Sequence, residues 1–298
     1  MNDYLVTPEN AAKGSFLRRK SGLHQFSNCP YSYLIKFLIG IQGEASPAME
    51  FGTFFHDLAE VAFDKVDHDE IDAGNVYEEF MKHLPHVTED AEEGDMNYDF
   101  MGYLQHIPDG VVIFENWAKM EQQRWDNLED KSWFWPLLRE QRLESYDLMF
   151  SGTTDRLDQI TSKTAMVIDY KTGKMHKWLM SKYRLELFGY KTLIELCTDK
   201  MKKDGSLPKD YRLNITEGAI IFPKTKEVFT VTFKTQTENA FYRKLDAQVK
   251  MLEERNFPKK ETMLCEWCTM FEDCQLDNLK PMTDEYVRYL KEEQEKLE

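Results

Sequence analysis

Asp169-Tyr170-Lys171 stands at the end of the apolar run Ala165–Tyr170 and sets an acid and a lysine two residues apart. Side chains two apart on a strand point to the same face, so Asp169 and Lys171 would work together at a strand end. Carboxylate oxygens hold Mg²⁺ or Mn²⁺ and leave coordination sites for a water and a phosphate. A lysine beside them can orient or deprotonate the attacking water, or stabilise transition-state charge. This pairing suits metal-dependent hydrolysis of a phosphodiester. Three more segments carry related residues: Gly52-Thr53-Phe54-Phe55-His56, Gly152-Thr153-Thr154-Asp155-Arg156-Leu157-Asp158 and Glu186-Leu187-Phe188-Gly189-Tyr190. Asp155 can bring a second carboxylate from a neighbouring strand. His56 would add a nitrogen ligand, which tilts preference from Mg²⁺ toward Mn²⁺. Each segment alone has a plainer reading: a solvated strand end, a satisfied helix histidine, a core tyrosine at 190, and an Asp158 paired with a nearby arginine.

Four of the five cysteines form a second set. Cys29 stands near the start, and Cys265, Cys268 and Cys274 form C-x2-C-x5-C near the end. Thiolates choose zinc or iron–sulfur clusters over hard cations. One distant cysteine plus a triplet is an odd spacing for a zinc finger, which pairs two knuckles. Five cysteines also leave one over in any disulfide scheme. Cys197, among Leu193, Ile194 and Leu196, reads as a buried free thiol.

The elements that must position these residues follow from spacing. Ser27 or Asn28 caps a helix with Pro30 in its first turn, running through Tyr31–Ile39 to Gly40. A second helix over Ala48–Phe63 has an apolar stripe of Phe51, Phe55, Leu58 and Ala62, with His56 beside it. The acidic stretch 64–99, an insertion or flap extending to about residue 109, holds helical pieces and a loop near Glu89–Asp99. Val111–Trp125 is amphipathic, with Val111, Phe114, Trp117 and Met120 inward. Strands are predicted over Leu137–Ser145, Tyr146–Ser151, Thr153–Ile160 and Ala165–Tyr170, then a helix over Lys182–Leu196. Strands Ile215–Phe222 and Val228–Phe233 flank a turn at Pro223–Lys226. A helix over Asn239–Glu254, the cysteine loop and a charged helix from Thr283 complete the chain. This order suits an α/β core with helical additions.

The 298 residues carry a net charge of −15, which at first sight opposes nucleic-acid binding. Residues 64–99 hold 13 acids and two lysines, a net of −11, so everything else carries only −4. Basic clusters remain at Arg18-Arg19-Lys20 and across Lys174, Lys177, Lys182 and Arg184. Local potential steers a polyanion, so DNA stays in play, with salt-sensitive binding expected. The start MNDYLVTPEN lacks a signal-peptide pattern and no apolar run spans a membrane, so a soluble, cytoplasmic protein, bacterial or phage-encoded, is expected. No Walker motif occurs, so any helicase would be a separate partner.

The four ordered segments resemble the PD-(D/E)XK superfamily, and within it the RecB-like exonucleases. There a helix carries the histidine, a GxxD strand and D-x-K follow, and a helix bears Q-x-x-x-Y. The resemblance implies a restriction-endonuclease-like core, a mixed sheet flanked by helices, in one domain over residues 1–298. It implies His56, Asp155, Asp169 and the Tyr170 carbonyl as metal ligands and Lys171 as the catalytic lysine. An extra acid often precedes GxxD; Glu140 is the choice here over Glu144. Tyr190 takes the DNA-contacting position of the helix motif, and Glu186 replaces the usual glutamine. Lys174, Lys182 and Arg184 are further candidates for contact with DNA. The cysteine pattern is similar to the AddB and CRISPR-adaptation branches, where such a set holds a 4Fe–4S cluster. That implies a clasp of Cys29, Cys265, Cys268 and Cys274 joining the terminal segments, with zinc the alternative occupant. The expected activity is a metal-dependent DNA exonuclease acting at single-stranded ends, where Tyr170, Trp178 and Tyr183 either stack on bases or pack in the core. The rivals are a subunit acting only with a helicase, recombinase or integrase, and a non-catalytic cluster protein that binds DNA.

Overall fold

Apolar runs of period two and amphipathic runs of period 3.6 alternate along the chain, and they build a mixed sheet with helices against it. The computed structural model describes residues 18–41, 47–82 and 110–297. The strands are β1 (Arg18–Arg19), β2 (Leu138–Ser145), β3 (Phe150–Gln159), β4 (Thr164–Tyr170), β5 (Asn214–Phe222) and β6 (Glu227–Thr232). Their order is β1-β3-β4-β5-β6, with β2 also paired to β3. β3–β4 and β5–β6 are antiparallel, whereas β4–β5 is parallel. A parallel neighbour needs a crossover. That crossover is the helix Met180–Asp204, which ends at Gly205 with φ 90°, a left-handed stop that suits glycine.

The chain forms two compact units, neither continuous in sequence. The first comprises Met1–Glu44, Leu143–Gly152 and Thr235–Glu298; the second comprises Ala45–Arg142 and Thr153–Lys234. In the first lie α1 (Lys20–Asn28), α2 (Pro30–Tyr33) and its π-helical continuation Leu34–Ile39. It also holds α7 (Thr235–Glu253), α8 (Phe271–Gln275) and α9 (Lys280–Leu297). In the second lie α3 (Pro47–Lys65), α4 (His68–Asp72), a helical stretch at 76–82, α5 (Gly110–Asn127) and α6, the crossover helix.

The core of the second unit is aromatic. Phe51, Phe54, Phe55, Leu58 and Phe63 of α3 pack with Phe114 and Trp117 of α5 against Ile168 and Tyr170 of β4. Each fully buried apolar side chain of this size contributes roughly 1.5–3 kcal/mol. The core therefore anchors α3, and His56 with it, at the end of β4. In the first unit, Phe26, Tyr33, Leu34 and Leu38 pack with Phe257.

Several boundaries differ from expectation. Cys29, not Ser27 or Asn28, is the N-cap of α2, without a side-chain cap, and α1 precedes it. Tyr146–Ser151 is not a separate strand. Its first residues turn, Met149 takes φ 48°, and β3 runs from Phe150 through Gly152 to Gln159. α6 starts two residues before Lys182 but runs well past Leu196 to Asp204, and α9 starts at Lys280 rather than Thr283. The expected loop at Glu89–Asp99 and the side chain of Val111 lie outside the described residues. No helix among the described residues is long and apolar enough to cross a membrane.

Candidate active site

β4 sets the geometry. Asp169 pairs in register with Ile220 of β5, and the alternation of side chains sends Tyr170 to the opposite face. α6 lies on the Asp169 face. It approaches β5 closely because Gly218 has no β-carbon, which would fall 2.9 Å from Phe233 and 3.1 Å from Leu187 Cβ. This packing brings the buried Tyr190 hydroxyl to donate a long hydrogen bond, 3.5 Å, to Asp169 Oδ1. The other Asp169 oxygen pairs with the Lys171 ammonium.

His56 reaches the same centre from α3. Its Nδ1 lies 3.2 Å from Glu140 Oε1 and 3.2 Å from Asp155 Oδ2. Asp155 Oδ2 also accepts the Tyr170 backbone N–H at 2.7 Å, which ties β3 to β4 at the site. Within β2, Glu140 takes φ 39°, the left-handed region in which a non-glycine residue is strained by about 1–3 kcal/mol. That kink lets its carboxylate meet His56. Glu144, the competing acid, instead accepts from the Tyr146 hydroxyl at 3.4 Å.

Among the described residues, His56, Glu140 and Asp155 form the one group of ligand atoms lying within 4.8 Å of one another, the spacing needed to share a metal ion. Two carboxylates and one imidazole fit a divalent cation of intermediate hardness. Asp169 lies outside that group, its carboxylate held by Lys171 and Tyr190. Electrostatics match this grouping. Burial pushes Asp155 up to about 6, helped by Asp169 and Glu140 and opposed by His56 and Lys171. For His56, burial favours the neutral ring, but Asp155 and Glu140 outweigh it and raise the imidazolium to about 9. Burial and Glu140 likewise raise Asp57 to about 6. The crowded carboxylates are thus under-neutralised, and a bound divalent cation would relieve them.

The residues expected to contact DNA divide sharply. Lys174 and Arg184 are exposed, and Lys182 is half-buried, 3.7 Å from Glu186. Tyr190 and Glu186 are buried rather than on an open surface, Tyr190 with its hydroxyl on Asp169. One Glu186 oxygen is buried without a hydrogen bond. Of the three aromatic candidates, Tyr170 and Tyr183 are core, whereas Trp178 is 63% exposed just ahead of α6. Asp158 is the partner of an arginine, Arg156, as its plainer reading anticipates. That arginine's other partner, Glu121 on α5, was not anticipated. The signal for it was visible: Glu121 sits on the buried stripe of Phe114, Trp117, Ala118 and Trp125, where a charge needs a partner.

The cysteine set lies in the first unit. Cys29, Cys268 and Cys274 pack against Tyr31, Ile35, Met270 and Leu279. Burial raises the Cys274 thiol, Lys259 opposes, and the neighbouring thiols of Cys29, Cys268 and Cys265 raise it further. Tight turns order the loop, and the Thr262 N–H donates to Cys265 Sγ at 3.3 Å. No three of these sulfurs meet within 4.8 Å. Cys197 is a buried free thiol on α6, as its apolar setting anticipates.

Comparison with known proteins agrees with the geometry. No curated protein matches the chain. The sequence profile of the PD-(D/E)XK nuclease superfamily, however, matches residues 20–275, which hold His56, Glu140, Asp155, Asp169, Lys171 and all four loop and N-terminal cysteines. With a mixed sheet flanked by helices beneath these motifs, the chain belongs to the PD-(D/E)XK nuclease superfamily.

Proposed function

We propose that this protein is a single-domain DNA exonuclease that uses Mg²⁺ or Mn²⁺ and acts at single-stranded ends, in recombination, repair or phage DNA processing. The observation that carries the reading is the meeting of His56, Glu140 and Asp155 within 4.8 Å, beside the Asp169–Lys171 pair. His56, Asp155, Asp169 and the Tyr170 carbonyl would hold the cation, with Glu140 as the additional acid. When bound, the cation supplies positive charge to the phosphate and acidifies a coordinated water. Lys171 is placed on the Asp169 face to orient that water and to stabilise charge on the phosphate. Tyr190 steadies the Asp169 carboxylate, and burial beside Asp155 and Asp169 holds its phenol neutral, so it serves as a hydrogen-bond donor. Lys174, Lys182 and Arg184 give α6 and the loop before it a cationic approach for the DNA backbone, and Trp178 offers a ring for an unpaired base.

For the cysteines, the proposed occupant is a 4Fe–4S cluster. Thiol donors, an apolar lining and an N–H···S bond fit such a group. A single zinc ion holds sulfurs at about 2.3 Å and so draws all four close together. Such an ion is the alternative occupant.

A second reading is favoured by one observation. Met263, Trp267 and Leu276, all in or beside the cysteine segment, are 89%, 82% and 71% exposed. Exposed side chains of this size suit a subunit that docks on a helicase, recombinase or integrase.

The test is cleavage of end-labelled linear and closed circular DNA, single- and double-stranded, with Mn²⁺ or Mg²⁺, beside Lys171→Ala. Products that require an end and vanish with Lys171→Ala support the exonuclease. Cleavage of closed circles makes the enzyme an endonuclease. Inactivity of a folded, cluster-loaded protein favours the partner-dependent subunit.

A further inference from the structure

A second charge cluster lies behind the catalytic strands, on the face away from Asp169. Arg156, 1% exposed, grips Asp158 with two parallel bonds, Nε to Oδ1 at 2.7 Å and Nη2 to Oδ2 at 2.5 Å. Its Nη1 donates to Glu121 Oε1 at 2.7 Å and to the Tyr170 hydroxyl at 2.6 Å. Arg124 closes the set from α5, 2.8 Å from Glu121 and 3.4 Å from Asp158, and also donates to the Phe134 carbonyl at 2.6 Å. Trp117 Nε1 lies 3.5 Å from the same Tyr170 hydroxyl. Two arginines thus face two carboxylates, all but Arg124 almost fully buried.

Two facts bear on what this cluster is for. First, a buried ion pair of this kind contributes little net stability, because desolvating the charges offsets their attraction. Apolar side chains of similar volume fill such a space as well or better. What the cluster does supply is direction, since a bidentate arginine–carboxylate fork fixes both partners in plane. Second, two of the three strand residues it holds, Arg156 and Tyr170, adjoin a residue of the metal centre. Arg156 follows Asp155, and Tyr170 lies between Asp169 and Lys171. Arg156 and Asp158 pair in register with Ile168 and Met166 of β4. The Tyr170 peptide itself donates to Asp155. Locking the Tyr170 phenol therefore locks the peptide that positions Asp155 and leads into Lys171.

We infer that the Arg156–Asp158–Glu121–Tyr170 cluster is a positioning device that sets the metal ligands and Lys171 from behind, and that the fold does not need it for stability. The inference rests on the reading of Asp155, Asp169 and Lys171 as the nuclease centre. Arg156 touches none of the reacting atoms, so it is a positioning residue.

The test replaces the cluster with apolar or neutral groups of similar size, Arg156→Met with Asp158→Leu and Glu121→Gln, the last keeping an acceptor for Arg124. Three quantities are measured: the melting temperature, the Mn²⁺ binding isotherm of the full chain, and kcat and KM on linear DNA. The expected result is a melting temperature within a few degrees of wild type. Mn²⁺ binding should weaken by about tenfold or more. The kcat should fall by about 10²-fold, with KM within about twofold. Wild-type Mn²⁺ binding and wild-type kcat in the folded variant overturn the inference. If the triple variant does not fold, the fold needs the cluster and that half of the inference fails. Tyr170→Phe, which removes one hydroxyl, then decides the positioning half. A drop in kcat at unchanged melting supports it, and wild-type kinetics and Mn²⁺ binding overturn it. A wild-type protein that binds Mn²⁺ but cleaves no DNA contradicts the nuclease reading, and the isotherms alone then decide on positioning. Absence of Mn²⁺ binding in the wild type overturns both.

Discussion

The carboxylate centre and the cysteine loop are built in opposite ways. His56, Glu140, Asp155 and Asp169 sit on long elements, α3, β2, β3 and β4, braced by an aromatic core and a buried charge network. The four cysteines sit on a helix cap, short turns and a five-residue helix, half-exposed, with only a small apolar cluster beneath them. A braced site keeps its geometry whether or not its ligand is bound. A site on turns depends on its ligand for its geometry, and binding free energy there becomes folding free energy. In the function proposed above, chemistry belongs to the carboxylate centre and cohesion to the cysteine loop.

The largest effect that would break this contrast is at Lys171. Lys171→Ala should lower the cleavage rate by about 10³-fold or more, with a far smaller effect on the melting temperature, because transition-state stabilisation is lost and Asp169 loses its ammonium partner. Gel-resolved kinetics alongside a thermal melt check both halves. Next comes Cys268→Ser, which should behave the opposite way. Its melting temperature should fall by about 10 °C, the shift that a few kcal/mol produces in a chain of this size. The molecules that remain folded should keep their turnover per active site, read by single-turnover kinetics below the new melting point.

A smaller effect is expected at Trp178. Trp178→Ala should raise KM for single-stranded ends by roughly tenfold, since stacking one base is worth about 1–3 kcal/mol, and leave kcat alone. An unchanged KM would make its exposure incidental. The smallest effect is the pH dependence of the metal-free protein. His56 has its folded value raised from 6.5 to about 9, so the charged ring's stabilisation is complete below 6.5 and is lost as pH rises toward 9. Melts in the presence of a chelator should therefore fall across that window, and His56→Gln should flatten the fall.

Legibility in the sequence also differed between regions. The site helices and strands were readable because their residues recur at clean periods. Phe51, Phe55 and Leu58 mark one helix face, and Val167-Ile168 mark a buried strand that ends in D-x-K. The turn at residues 146–149 was not readable, since Tyr-Asp-Leu-Met alternates like a strand and nothing local announces a left-handed Met149. The π-helix over Leu34–Ile39 leaves no mark in composition either. The site was half legible. His56, Asp155 and Asp169 lie at motif positions, but the kink that brings Glu140 to His56 is a tertiary feature. So is the burial of Tyr190 and Glu186. The charge network was the least visible part, because its four members come from three elements spread over 50 residues of sequence.

The most direct test of the division of labour is Mn²⁺-titrated cleavage of linear DNA by Asp155→Asn, measured beside wild type at matched folded concentration. Asp155 touches His56 and the Tyr170 peptide at once. The account predicts a folded protein with cleavage reduced by about 10³-fold at every Mn²⁺ concentration. A folded Asp155→Asn protein that cleaves at the wild-type rate would contradict it, and the carboxylate centre would then not be where the chemistry occurs.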